Sequence, residues 1–240
     1  MYSKNLQKKI IEYYTSYYKS CGLKDFEERA KARLREEDLE LERMKKLEKI
    51  LHKNFTKKKH FIFGAGTAGL AVVLKEQYDA DVYGIEPSTE EFNIIQMKLK
   101  ERGIALSNFR KEYGEKLSFF NEQFDFVHCF TVLEHVTNVR KCIEEMVRIT
   151  KKGGIIYINT PNYAFPEERH YKIRFPFPPA YMPRIFSYFY LMLRQRPYKF
   201  LRSINFLTER KLEKYLKEVK GIQWERIGKK HNQEIIIEKL

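Results

Sequence analysis

From residue 58 onward, short apolar runs alternate with stretches whose hydrophobic positions recur at helical spacing. HFIF at 60–63 reads as a strand ending at Gly64, and Thr67 to Gln77 reads as a helix. DVYGIE at 81–86 predicts the second strand, followed by a helix from Ser88, where Ser88 and Glu91 stand at capping-box spacing. Residues 104–109 give a weak third strand, and FDFVHCF at 124–130 a fully buried one. Asn138 to Thr150 predicts a helix, stopped by Lys151, Lys152, Gly153 and Gly154, before a fifth strand, GIIYIN, at 154–159. Strands alternating with helices of this length imply an α/β fold, a mostly parallel sheet with helices on both faces. IQWERIG and EIIIEKL, separated by Lys229 to Gln233, predict a final antiparallel hairpin on one sheet edge.

Two segments stand outside this alternation. Residues 1–57 predict an N-terminal helical cap on a domain spanning 58–240. In that cap, residues 5–20 carry Tyr13, Tyr14, Tyr17 and Tyr18 at i, i+3, i+4 spacing, which suits a packed face or an aromatic lid. Residues 25–51 read as one amphipathic helix, with Leu41, Met44, Leu47 and Leu51 on its apolar side. The second segment, residues 161–207, holds seven of the eight prolines and many aromatic and basic side chains, and forms an insertion after the fifth strand. A long insertion of this kind within a compact domain is usually functional.

Composition narrows the class. A chain of 240 residues, 43% hydrophobic and 32% charged, can bury a real core but has no room for two full domains. The start lacks the apolar run of a signal peptide and no stretch is apolar enough to span a bilayer, so a cytoplasmic protein is expected. Cys21, Cys129 and Cys142 show no metal-ligand spacing and read as reduced thiols. The net charge of +14 lies on the flanks: residues 61–160 hold 12 Lys/Arg against 14 Asp/Glu. Basic flanks around a near-neutral centre attract phosphates, nucleic acid or anionic membranes, or simply solvate the surface.

Gly64, Gly66 and Gly69 form GxGxxG between a strand and a helix, where backbone approaches a nucleotide closely. Glu86, 22 residues after Gly64 at the second strand's end, is placed to accept hydrogen bonds from ribose hydroxyls. The two features together indicate a nucleoside-containing cofactor. FDFVHCFTVLEHV followed by GGIIYINTPN resembles the fourth- and fifth-strand motifs of class I S-adenosylmethionine-dependent methyltransferases, especially the branch containing ubiquinone-pathway O-methyltransferases. The resemblance covers about residues 58–162; YYTSYYKSCGL, EERHYKIRFPFPP and INFLTERKL are more weakly similar to bacterial members of unassigned substrate.

That resemblance implies a seven-stranded Rossmann-like sheet with S-adenosylmethionine across the strand tips. It implies contacts from Gly64, Ala65, Gly66 and Gly69 to the methionine part and from Glu86 and Pro87 to the ribose. Tyr113 and Gly114 would lie near the adenine, and Cys129 and Phe130 would flank the methyl sulfonium. Two departures stand out: Ile62 replaces the acidic residue usual two positions before the first glycine, and Tyr113 stands where an acidic residue commonly meets the adenine.

Methyl transfer needs a nucleophile held in line and, for a hydroxyl, a base. His170, in PEERHY beyond the fifth strand, is the first candidate base, with His135 and Glu134 as further catalytic candidates. Related metal-assisted enzymes carry ExxEH; here Thr131 occupies the first position, and no metal is expected. The expected substrate is a small, anionic, lipid-linked or sugar-linked molecule, methylated on oxygen. The alternatives are an RNA 2′-O-methyltransferase, for which no RNA-binding module is recognisable, a noncatalytic cofactor-binding relative, and a dinucleotide oxidoreductase. Residues 184–206 join apolar side chains to Arg184, Arg194, Arg196, Lys199 and Arg202, suiting either a helical cap over the site or a peripheral membrane contact.

Overall fold

The computed structural model describes residues 2–198, 200–228 and 231–240. The chain opens with α1 (Lys4–Ser20), α2 (Phe26–Ala32) and α3 (Glu36–Leu51). The alternating part follows as β1 (Lys59–Phe63), α4 (Gly69–Tyr78), β2 (Asp81–Ile85), α5 (Thr89–Glu101), β3 (Phe109–Arg110), β4 (Phe124–Phe130), α6 (Val139–Ile149) and β5 (Thr150–Pro161). The insertion holds β6 (Glu167–Glu168), β7 (Ile173–Arg174) and α7 (Arg184–Leu193), and the chain ends with α8 (Glu209–Glu218), β8 (Ile222–Arg226) and β9 (Asn232–Lys239).

Seven strands form one sheet in the order β3-β2-β1-β4-β5-β9-β8. Pairings from β3 to β5 are parallel, while β9 runs antiparallel to both β5 and β8. Strand alternation divides the core into two layers. Ile62, Phe126, Ile155 and Ile236 face α3, α4 and α5, whereas Phe61, Val127, Ile156 and Ile237 face α6 and α8. Each layer thus covers one sheet face with helices, as the sequence pattern requires.

Local chemistry sets the ends of these elements. The Ser88 hydroxyl accepts from Glu91 N–H at 3.3 Å, one half of the expected capping box. The other half differs, because Ser88 N–H donates to Glu86 at 2.9 Å, which frees Glu91 for another role. The weak third strand shortens to two residues behind a 3₁₀ turn at Leu106–Asn108. The expected single helix over 25–51 is broken at Arg33–Arg35, where a 3₁₀ turn separates α2 from α3. Burial decides the break: it turns Glu36 inward to a pocket formed by Thr67 and Lys98, a tertiary demand that helix propensity cannot express.

The insertion has its own core of Tyr163, Tyr171, Phe175, Leu191, Leu201 and Phe206. It is fastened to the loop after β4 by Asn205, which donates to the carbonyl of Val136 at 2.6 Å and through its N–H to that of Glu134 at 2.7 Å. Lys199 of the basic stretch and Lys229 of the expected hairpin turn lie outside the described residues. Among the described residues no helix is long and apolar enough to cross a membrane.

Candidate functional site

A cavity of about 710 Å³ opens beyond the carboxyl ends of β1, β2 and β4, a size suited to a nucleoside-bearing ligand plus a second small molecule. The turn after β1 forms one wall. Gly64 has φ +79°, and a Cβ there would sit 2.5 Å from Val132 Cγ2, so only glycine allows β1 and the loop after β4 to meet. Glu86 is buried beside it, accepting from Gly66 N–H and from Ser88 N–H, each at 2.9 Å. A carboxylate has about four acceptor positions, so Glu86 keeps capacity for hydroxyl donors. Glu91 shares this wall. Burial raises the pKa of both carboxyls, that of Glu91 to about 7, with the charge of Glu86 adding to the effect on Glu91.

The N-terminal helices supply the facing wall. Tyr13, Tyr14, Tyr17 and Tyr18 all line the cavity, together with Arg29 and Arg33. Glu36 and Glu40 reach it from α3. Glu36 accepts from the Thr67 hydroxyl at 2.7 Å and from the fully buried Lys98, which also donates to Glu37 at 2.9 Å. Arg43 holds Glu40 at 2.8 Å and lies over the Phe130 ring, 4.4 Å from its centroid. Carboxylates of α3 therefore stand at the same cavity as Ile62, the position where the resembled family has an acidic residue.

The third wall joins the loop after β4 to the insertion. Thr131 closes β4 with φ +54°, an unfavourable geometry for a β-branched residue, and the chain then turns so that Glu134 and His135 reach the cavity. His135 Nε2 lies 3.2 Å from His170 Nε2, and His170 Nδ1 lies 2.7 Å from Glu168 Oε1. Glu168 is buried, and its other oxygen accepts from Tyr171 N–H at 2.8 Å. For His170, burial opposes the charged ring, but the hydrogen bond and charge of Glu168, and then the charge of Glu134, leave its pKa above the ordinary value. For His135, desolvation and then the neighbouring His170 push the pKa down. Glu134 is fully buried, accepts from the Thr160 hydroxyl at 2.9 Å, and is lifted by burial to about 7.

The expected site residues thus separate into two groups. Gly64, Ala65, Gly66, Gly69, Glu86, Pro87, Phe130, Glu134, His135 and His170 all stand on this cavity. Three do not. Cys129 points to the opposite sheet face among Val127, Leu133 and Ile158, because strand residues alternate and Phe130 takes the cavity side. Tyr113 projects into solvent, and Gly114 is packed under Phe63, where a Cβ would fall 1.9 Å from the ring. Sequence reasoning missed Glu36, Glu91 and Glu168. Glu168 had a signal, two residues before His170 in PEERHY, but nothing in the sequence shows that its carboxylate turns back to the imidazole.

The topology agrees with the comparisons to known proteins. A methyltransferase domain model matches residues 62–158. Over these residues the chain is similar to the class I S-adenosylmethionine-dependent methyltransferases. S-adenosylmethionine is the cofactor of that family. An uncharacterized methyltransferase of Bacillus subtilis is 28% identical to this chain over 91 residues, 38% of this chain and 36% of the relative. A ubiquinone biosynthesis O-methyltransferase of Erwinia tasmaniensis is 26% identical over 83 residues, 35% of this chain and 34% of the relative. The match spans about a third of the length of these curated relatives. In fold, an S-adenosylmethionine-dependent methyltransferase of Thermotoga maritima superimposes with a TM-score of 0.56 at 16% identity, covering 99% of this chain and all of that one.

The cavity fits this cofactor on two counts. Glu86 is buried with acceptor capacity to spare, and Gly64 and Gly66 bring the turn to the same space without side chains.

Proposed function

We propose that this methyltransferase moves the methyl group of S-adenosylmethionine to a hydroxyl oxygen of a small anionic molecule. The observation that carries the reading is the Glu168–His170–His135 chain, which faces the glycine turn and Glu86 across one cavity. Methylation of a hydroxyl leaves a proton to be removed, and a relay of two imidazoles ending on a buried carboxylate is suited to remove it. Arg29, Arg33 and Arg169 on the same cavity favour an anionic substrate. Gly64 to Thr67, Glu86 and Pro87 would hold the cofactor, which when bound supplies a sulfonium methyl that is already electrophilic.

This chain's own groups handle the proton. With His170 neutral and its Nδ1–H donated to Glu168, His170 Nε2 accepts from His135 Nε2–H. His135 Nδ1 then carries a lone pair on a residue of the cavity wall. As the substrate hydroxyl is methylated, its proton moves to His135 Nδ1. The Nε2 proton of His135 passes to His170 Nε2, leaving an imidazolium against Glu168. The opposed shifts of the two histidines favour this direction, since His170 is the stronger base.

Radiolabelled methyl transfer into fractionated cell extract tests the reading. The expected product is a small molecule whose label resists nuclease and is released by ether cleavage. Label in RNA, or on nitrogen, would replace the reading.

A further inference from the structure

The insertion presents an apolar helix face that the fold does not use. On α7, Ser187 and Leu191 are fully buried and hold the helix to the insertion core. The opposite face carries Ile185, Phe186, Phe189, Met192 and Leu193, at i, i+1, i+4, i+7 and i+8, and each is 54–67% exposed. Five large apolar side chains along one helix stripe exceed the scattered exposure normal for a protein surface and mark a surface that meets something.

Charge identifies the partner. Residues 169–208 contain eight Lys/Arg and no Asp or Glu, in a chain with 32 acidic residues elsewhere. Arg184 is engaged within the fold, donating to the carbonyls of Leu201 at 2.7 Å and Ile204 at 2.6 Å. Arg194 and Arg202 follow the helix on the exposed surface, Arg202 lying over the Tyr198 ring at 5.0 Å. A second copy of the chain docking through this face would set its arginines against themselves, since a two-fold contact pairs the same patch with itself. RNA would leave Ile185, Met192 and Leu193 with no base to stack on, as aliphatic side chains offer no ring. An apolar stripe in a segment whose Lys and Arg have no Asp or Glu among them matches the boundary between acyl chains and anionic headgroups.

We propose that α7 lays this face on an anionic lipid bilayer as a peripheral contact. The same insertion contributes Arg169, His170 and Ser203 to the cavity wall, so the contact would bring the site next to the membrane surface. The inference stands apart from methyl transfer, because binding to a bilayer is read without turnover.

Flotation of the full chain with vesicles decides it. The protein is expected to rise with vesicles containing phosphatidylglycerol and to stay below with pure phosphatidylcholine. Phe186→Glu with Phe189→Glu and Met192→Glu should weaken binding at least about tenfold, since each substitution removes apolar burial and adds repulsion. Arg194→Gln with Arg202→Gln should weaken it and reduce its salt dependence. Unchanged melting and unchanged S-adenosylhomocysteine binding in both variants show that the fold is kept. Failure of the wild type to float with anionic vesicles, or equal flotation of the glutamate variant, overturns the proposal. So does a dimer by light scattering that the glutamate variant dissolves, or salt-sensitive RNA binding without vesicle binding.

Discussion

His135 Nε2 and His170 Nε2 lie 3.2 Å apart, joining the loop after β4 to the insertion across 35 residues of sequence. Neither ring would be fixed without the other segment: Asn205 clamps the insertion to the Val136 carbonyl, and Glu168 orients His170. Four expectations follow from this site and its supports.

Removing either imidazole should slow chemistry while leaving the cofactor region intact. His170→Ala and His135→Ala are each expected to lower kcat by roughly 100-fold to 10,000-fold. Affinity for S-adenosylhomocysteine by calorimetry should stay within about twofold in both, given the weak coupling expected of separated sites. Full activity in His170→Ala would remove the relay from the mechanism.

Glu168 should act through the pKa of His170 and be visible in a pH profile. His170 accepts a proton only when neutral, so the rate rises with pH as it deprotonates, and its raised pKa sets that midpoint above the ordinary imidazole value of about 6.5. Glu168→Gln removes the first favourable charge, so the midpoint of kcat against pH should move downward while the maximal rate falls. An unmoved midpoint would leave Glu168 a merely structural residue.

Gly64 and Gly66 provide an internal contrast. Both have positive φ, but a Cβ at Gly64 collides with Val132, whereas one at Gly66 meets nothing within 4 Å. Gly64→Ala should cost about 1–3 kcal/mol more than Gly66→Ala in denaturant unfolding. It should also lower cofactor affinity, because relief of the collision displaces the loop that carries the cavity wall.

Two buried carboxyls should respond oppositely to substitution. Glu36→Ala leaves Lys98 with Glu37 alone in a fully buried position, and is expected to cost about 3 kcal/mol, largely recovered by adding Lys98→Met. Glu134 behaves differently, since burial raises its pKa from 4.5 to about 7. Between those values the folded chain holds a proton that the unfolded chain has released, so stability falls as pH rises through the window. Glu134→Gln should remove that slope and raise the melting temperature in mildly alkaline buffer, with loss of melting temperature there counting against the assignment.

The sequence by itself determined the sheet. The strand-helix alternation from His60 to Ile158 and the glycine turn at Gly64 are local patterns, because hydrophobic period and backbone conformation are set by neighbours a few residues apart. It also held information that residue matching overlooked: alternation along β4 already puts Phe130 and Cys129 on opposite faces. Only the tertiary structure decided the rest. The break at Arg33–Arg35 that buries Glu36, the solvent position of Tyr113, and the meeting of Glu168, His170 and His135 depend on which distant segments touch. Burial, ion pairing and hydrogen bonding between such segments are properties of packing, and no local period encodes them.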